Sequence, residues 1–137
     1  MLGGEYPENL YIQPPFFVDY GVNIHFGKNC YLNYGCTILD VNSVELGDNT
    51  LLSPGVTIVT PTHPIDPKAR ETELSAKPIK IGKNCWIGAN ATICPGVTIG
   101  DNVVIAAGAV VAKDIPSNVV AAGVPAKPIK QIPPTKQ

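Results

Sequence analysis

The sequence predicts an all-β fold in which the chain coils as short parallel strands around a three-sided prism, 18 residues to each turn. Two periodicities predict it. Bulky apolar residues recur at every sixth position: Tyr20, Phe26, Leu32 and Ile38, then Leu46, Leu52 and Ile58, then Ile81, Ile87, Ile93, Ile99, Ile105 and Val111. The residue two before each is small or apolar as well: Val18, Ile24, Cys30, Cys36, Val44, Thr50, Val56, Ile79, Cys85, Ala91, Val97, Val103 and Ala109. A strict period of six is neither the 3.6 of a helix nor the plain alternation of a flat strand. The second periodicity is a Gly-(Lys/Asp)-Asn motif at Gly27, Gly47, Gly82 and Gly100, spaced by 20, 35 and 18 residues. A two-residue insert between Ile38 and Leu46 and a seventeen-residue insert between Ile58 and Ile81 account for the longer intervals.

In chain order, the coil is expected over residues 18–58, and Gly and Asn recur at its corners because tight corners need backbone angles that other residues resist. Residues 60–78 then leave the coil as one long loop carrying His63. The coil resumes over 79–112, and the stretch 113–137 reads as a tail. Pro116, Pro125, Pro128, Pro133 and Pro134 are expected to break regular structure there. Its lysines, Lys113, Lys127, Lys130 and Lys136, face a single acid, Asp114. They read equally as a solvated cap over the open end or as a cationic rim for a phosphorylated ligand.

Composition bounds the function. At 137 residues the chain is expected to form a single domain, 1–137. A net charge of −1 gives no basic field for nucleic acid. No apolar run approaches 18 residues and no charged-then-apolar leader opens the chain, so neither membrane nor secretion is expected, and the location reads as cytoplasmic. Cys30, Cys36 and Cys85 take inward positions and Cys94 a corner, which suits reduced packing residues rather than a zinc site.

Four segments together carry a resemblance: the six-residue beat, the excursion Thr60-Pro61-Thr62-His63-Pro64-Ile65-Asp66-Pro67, the stretch Asn84-Cys85-Trp86-Ile87-Gly88, and Ala121-Ala122-Gly123-Val124-Pro125-Ala126-Lys127. The chain resembles the hexapeptide-repeat acyltransferases, and among them the maltose and galactoside O-acetyltransferases, from Glu8 to Ile132. The resemblance implies a left-handed parallel β-helix, a homotrimer with active sites between subunits, and acetyl-coenzyme A as acyl donor. These sugar acetyltransferases usually carry a helical segment ahead of the prism. Met1-Leu2-Gly3-Gly4-Glu5-Tyr6 starts near where it would end, so the resemblance leaves the identity of the acceptor open.

Acetyl transfer from a thioester to a hydroxyl needs a base, a place for the developing oxyanion and alignment of two substrates. Neutral imidazole suits the first task at pH 7. Of the two histidines, His25 precedes an inward residue and should point outward, whereas His63 matches the family's general base. No nucleophile–base constellation for a covalent intermediate is visible, so direct transfer is expected. Asp19, Asn33 and Asp40 match acceptor-site positions in the family; Asn33 could equally be a corner residue and Asp40 a turn former. For the donor, the resemblance implies Trp86 beside the pantetheine arm, the backbone groups of Ala89 and Ala107 on its amides, and Lys113, Lys127 and Lys130 toward the nucleotide phosphates. Lysine lacks the two-pronged grip of arginine on phosphate. No P-loop is present, so ATP chemistry is not expected.

Other readings stay in view. A xenobiotic acetyltransferase of the chloramphenicol or streptogramin type shares the histidine loop but usually has a longer helical C-terminus. A β-helix can also be a non-catalytic scaffold. Zinc chemistry of the γ-carbonic anhydrase kind needs three histidines, so no metal is expected here.

Overall fold

A computed structural model describes residues 7–133; Met1–Tyr6 and Pro134–Gln137, with Lys136 among them, lie outside the described residues. The chain winds as a parallel β-helix with three faces. The first face stacks strands Tyr11–Ile12, Tyr31–Leu32, Leu51–Leu52, Trp86–Ile87, Val104–Ile105 and Val119–Gly123. Strands Phe16–Val18, Cys36–Leu39, Thr57–Val59, Thr92–Ile93 and Val110–Val111 make the second face. The third holds Ile24–Phe26, Val44–Leu46, Ile79–Ile81 and Thr98–Ile99, extended by a bridge from Ile99 to Ile115. Parallel pairing sets equivalent residues directly over one another, for example Leu32 on Leu52 and Ile87 on Ile105.

The six-residue beat is the core. Leu32, Ile38, Leu52, Ile58, Ile87, Ile93 and Ile105 are wholly buried, and the smaller residues two positions earlier fill the corners beside them. Truncating one of these isoleucines to alanine costs about 2–5 kcal/mol, because the stack above and below prevents the cavity from closing. The inward polar corner residues are hydrogen-bonded to backbone carbonyls. Cys30 donates its thiol to the Gly47 carbonyl at 3.2 Å, Thr50 its hydroxyl to Gly82 at 2.7 Å, and Cys85 its thiol to Gly100 at 3.1 Å. The four cysteines are free thiols, and burial pushes all four up.

The edge between the third and first faces shows why Gly-(Lys/Asp)-Asn repeats. Asn9, Asn29, Asn49, Asn84, Asn102 and Asn118 all hold φ between 56° and 64°. Their side chains form a ladder in which each amide NH2 donates to the next coil's carbonyl oxygen, at 2.8–3.2 Å. The glycines serve a different purpose from the expected one. A Cβ on Gly47 would sit 2.6 Å from the carbonyl carbon of Gly82, so glycine is there for close coil contact, while asparagine supplies the left-handed angle.

Two expectations are corrected. Tyr20 does not point inward: it is 59% exposed, and Val18 pairs with Ile38 in its place. The step from Val18 to Phe26 is therefore eight, so the two-residue insert after Ile38 is already present one coil earlier. The coil accordingly begins at Tyr11, six residues before Phe17, rather than at Val18. The C-terminal stretch is also regular. Val119–Gly123 joins the first face in parallel, and Ala126–Gln131 turns back on it antiparallel, with a bulge between Val120 and Ala121. Its prolines are compatible because Pro116 precedes the strands, Pro125 sits in the turn, and Pro128 lies on an edge strand that donates no inner ladder bond. This hairpin covers the end of the first face.

Candidate active site

The two remaining edges carry His63, Asp19, Asp40, Asn33, Ala89 and Ala107. At the edge between the second and third faces, residues 60–78 project outward on a short antiparallel stalk, Pro61–Thr62 paired with Ser75–Ala76. Its base is clamped. Buried Thr60 donates its hydroxyl to Leu39 at 2.6 Å and accepts the Asn42 N–H at 3.0 Å; the Asn42 side chain donates to the Ala76 carbonyl at 3.0 Å. Lys77 closes the base by donating its N–H to the Thr60 carbonyl at 3.0 Å. His63 follows the first stalk strand directly and is exposed. Beyond it, a single turn Pro67–Arg70 is capped by Asp66, whose carboxylate accepts the Ala69 N–H at 3.1 Å. A hydrogen-bonded base thus carries an exposed histidine on the excursion.

Asp19 and Asp40 share this edge and differ sharply. Asp19 is exposed. Asp40 is 0% exposed; its two carboxylate oxygens accept the N–H groups of Tyr20 at 2.8 Å and Asn23 at 3.1 Å, and its carbonyl accepts the Asn23 side chain at 2.8 Å. Its expected place among acceptor-touching side chains is therefore corrected, since both oxygens are spent bracing the insert one coil below. Burial alone would raise this carboxyl, but the Gly21, Tyr20 and Asn23 backbone groups hold it below the usual carboxylate value.

The edge between the first and second faces holds Asn33, Ala89 and Ala107. Asn33 is half-buried; its N–H donates to Leu52 at 2.9 Å and its side-chain oxygen accepts the Tyr34 N–H at 2.9 Å. Its amide NH2 has no partner among the described residues. Ala89 and Ala107 occupy equivalent corners of successive coils, tied where Gly108 donates to the Ala89 carbonyl at 2.8 Å. The alanine side chains keep this edge low, so an extended ligand could reach the backbone. Trp86 is 52% exposed on the adjoining first face, and its indole N–H donates to the Ser53 hydroxyl at 2.9 Å. Ser53 was not singled out from sequence. Its signal was its place directly after inward Leu52, matching Asn33 after Leu32, together with the need of a tryptophan N–H for a partner.

Lys113, Lys127 and Lys130 are exposed toward the C-terminal end of the prism. Lys113 follows the last strand of the second face, whereas Lys127 and Lys130 pair with Ala122 and Val120 of the first. His25 lies on the third face, outward as expected, beside Glu45 and Lys80 in a shallow groove of about 420 Å³. Among the described residues no group of three or more His, Cys, Asp or Glu could hold a metal ion, and no helix is long and apolar enough to cross a membrane.

A three-faced parallel coil of six-residue repeats, each carrying one short strand and a corner and interrupted by one histidine-bearing excursion, defines the class of hexapeptide-repeat β-helix proteins. Residues 78–113 match the family described as the hexapeptide repeat of succinyl-transferase. The galactoside O-acetyltransferase of Escherichia coli (strain K12) is 51% identical over 126 residues, covering 91% of this chain and 62% of that protein. The crystal structure of a maltose O-acetyltransferase from Clostridium difficile 630 superposes with a TM-score of 0.94 at 48% identity, covering 97% of this chain and 72% of that one. Galactoside acetyltransferase in complex with coenzyme A gives 0.91 at 50% identity, over 93% of this chain and 64% of that one. The chain belongs to the hexapeptide-repeat acetyltransferase family. It spans less than two thirds of the length of the Escherichia coli relative, at 62%.

Proposed function

We propose that this protein is an acetyl-coenzyme A-dependent O-acetyltransferase that acetylates a hydroxyl of a sugar-like acceptor by direct transfer. One observation carries the reading. His63 is held out from the edge between the second and third faces, whereas Asn33, Ala89 and Ala107 line the edge between the first and second. A single prism keeps these groups on separate edges, so a homotrimer in which His63 of one subunit meets the Asn33 edge of its neighbour completes a site. The likeness to a galactoside acetyltransferase solved with coenzyme A supports the donor.

In this reading coenzyme A lies along the low alanine edge, its pantetheine amides on the backbone of Ala89 and Ala107 and its arm beside Trp86. Lys113, Lys127 and Lys130 attract the phosphates. His63 removes the proton of the acceptor hydroxyl as its oxygen attacks the thioester carbonyl carbon. Collapse of the tetrahedral intermediate breaks the C–S bond, and the proton on His63 passes to the departing thiolate. Asn33 and Asp19 orient the acceptor, and Asp40 fixes the bend that carries Asp19. The four thiols fit a reducing compartment, and the reading places the enzyme in the cytoplasm.

The test is release of free thiol from acetyl-coenzyme A over a panel of pyranosides and other hydroxyl compounds, with sedimentation of the same sample. Acceptor-dependent release by a trimer supports the reading. A fully active monomer would remove the shared site, and no release with any hydroxyl acceptor would remove the activity.

A further inference from the structure

Trp86 is the sole tryptophan, half its surface is open, and yet its indole is not free. It stands directly over Leu51 in the first-face ladder, and Ser53 is two residues further along the same strand direction, at the corner. The side chain therefore reaches diagonally from the middle of the first face to the alanine-lined edge, where its N–H meets Ser53 Oγ at 2.9 Å. An indole N–H can only donate, so the direction of this bond is fixed and Ser53 is the acceptor. Ser53 is itself well placed to anchor: it is half-buried, its N–H donates to the Ile87 carbonyl at 2.9 Å, and its carbonyl accepts the Cys36 thiol at 3.5 Å. Its backbone is thus held from the coil above and by the core, while its hydroxyl holds the ring.

We infer that Ser53 is a positioning residue for the donor site: it locks the Trp86 ring at the edge where the acyl-pantetheine arm of coenzyme A would pass, and so sets donor affinity. The inference rests on the functional reading above for the identity of the ligand, but not for the lock. Without the hydroxyl, the ring keeps its strand position and loses its one polar tether, so part of the binding energy goes into ordering it again. A neutral hydrogen bond contributes about 0.5–1.5 kcal/mol net, which corresponds to roughly a two- to tenfold loss in affinity at 1.4 kcal/mol per decade.

The experiment uses the fluorescence of Trp86 in the full chain, for wild type, Ser53→Ala and Ser53→Thr. In the ligand-free proteins, Ser53→Ala should lower the steady-state anisotropy of the indole, and Ser53→Thr should restore it. In titrations with coenzyme A, Ser53→Ala should weaken binding by that same roughly two- to tenfold factor, with the KM for the acceptor unchanged. Unchanged anisotropy in Ser53→Ala overturns the lock. A changed anisotropy with wild-type affinity for coenzyme A overturns the donor-site role while keeping the lock. If wild type binds no coenzyme A, the functional reading fails and the donor-site role falls with it, whereas the anisotropy comparison still decides the lock.

Discussion

Asp40 accepts the backbone N–H of Tyr20 at 2.8 Å, exactly one coil below it in the stack of the second-to-third edge. The same carboxylate holds Asn23, so a single buried acid sets the path of the two-residue insert in two consecutive coils. Removing it leaves the part-buried amide N–H groups of Tyr20 and Asn23 without their acceptor, at about 1 kcal/mol or more each. Asp40→Ala should therefore lower stability by about 2 kcal/mol or more, read by urea unfolding at pH 7.

The same bond fixes a pH dependence. The Asp40 carboxyl is held below its unfolded value, so the stabilisation is fully present above the unfolded carboxylate pKa of about 3.9 and is lost as pH falls through the folded value. The stability gap between wild type and Asp40→Asn should be widest near neutrality and narrow in acid. A gap that stays constant from neutral to acid pH would show that the ionised carboxylate is not the brace.

The asparagine ladder gives a second test. Asn49 accepts from Asn29 at 3.0 Å and donates to Asn84 at 3.1 Å, at φ 60°. Asn49→Gly keeps the left-handed angle and loses both rungs; Asn49→Ala loses the rungs and adds a left-handed penalty of about 1–2 kcal/mol. Alanine should therefore be the worse of the two in thermal unfolding. Equal stabilities would mean that the angle carries no cost here.

Much of this was legible in the sequence, and the failures have physical causes. The core beat was read correctly from Phe26 to Val111 because only bulky residues fill a stacked prism axis. Tyr20 misled because Val18 before it is also apolar, so the shifted register satisfied the same pattern; the pairing of Val18 with Ile38 and the bonds of Asp40 reveal the insert. The C-terminal strands were hidden because proline marks breaks in an inner strand and is tolerated on an edge. The glycines were seen and their reason was not, since contact between coils is set by the stack, not by local propensity. Asp40 and Ser53 were misjudged or missed for one reason: each acts on a residue a full coil or more away, Tyr20 and Trp86, and sequence spacing does not show which side chains face one another.

For the donor, coenzyme A affinity should contain a salt-dependent part from the exposed Lys113, Lys127 and Lys130. Changing Lys127 and Lys130 together to alanine should raise the KM for acetyl-coenzyme A and spare turnover. Indifference to both salt and substitution would make these lysines a solvated cap only.

The central claim is that His63 is the general base, and the most direct measurement is acetyl transfer by His63→Ala alongside His25→Ala. His63 is exposed on a stalk outside the core, so its removal should leave the melting temperature almost unchanged. Turnover should fall by about 10²–10⁴, or roughly 3–5.5 kcal/mol of transition-state stabilisation, with coenzyme A affinity preserved. His25→Ala, altered on the outer surface of the third face and outside the excursion, should match wild type. Retention of more than about a tenth of wild-type turnover by His63→Ala, set against that expected loss, would contradict the account.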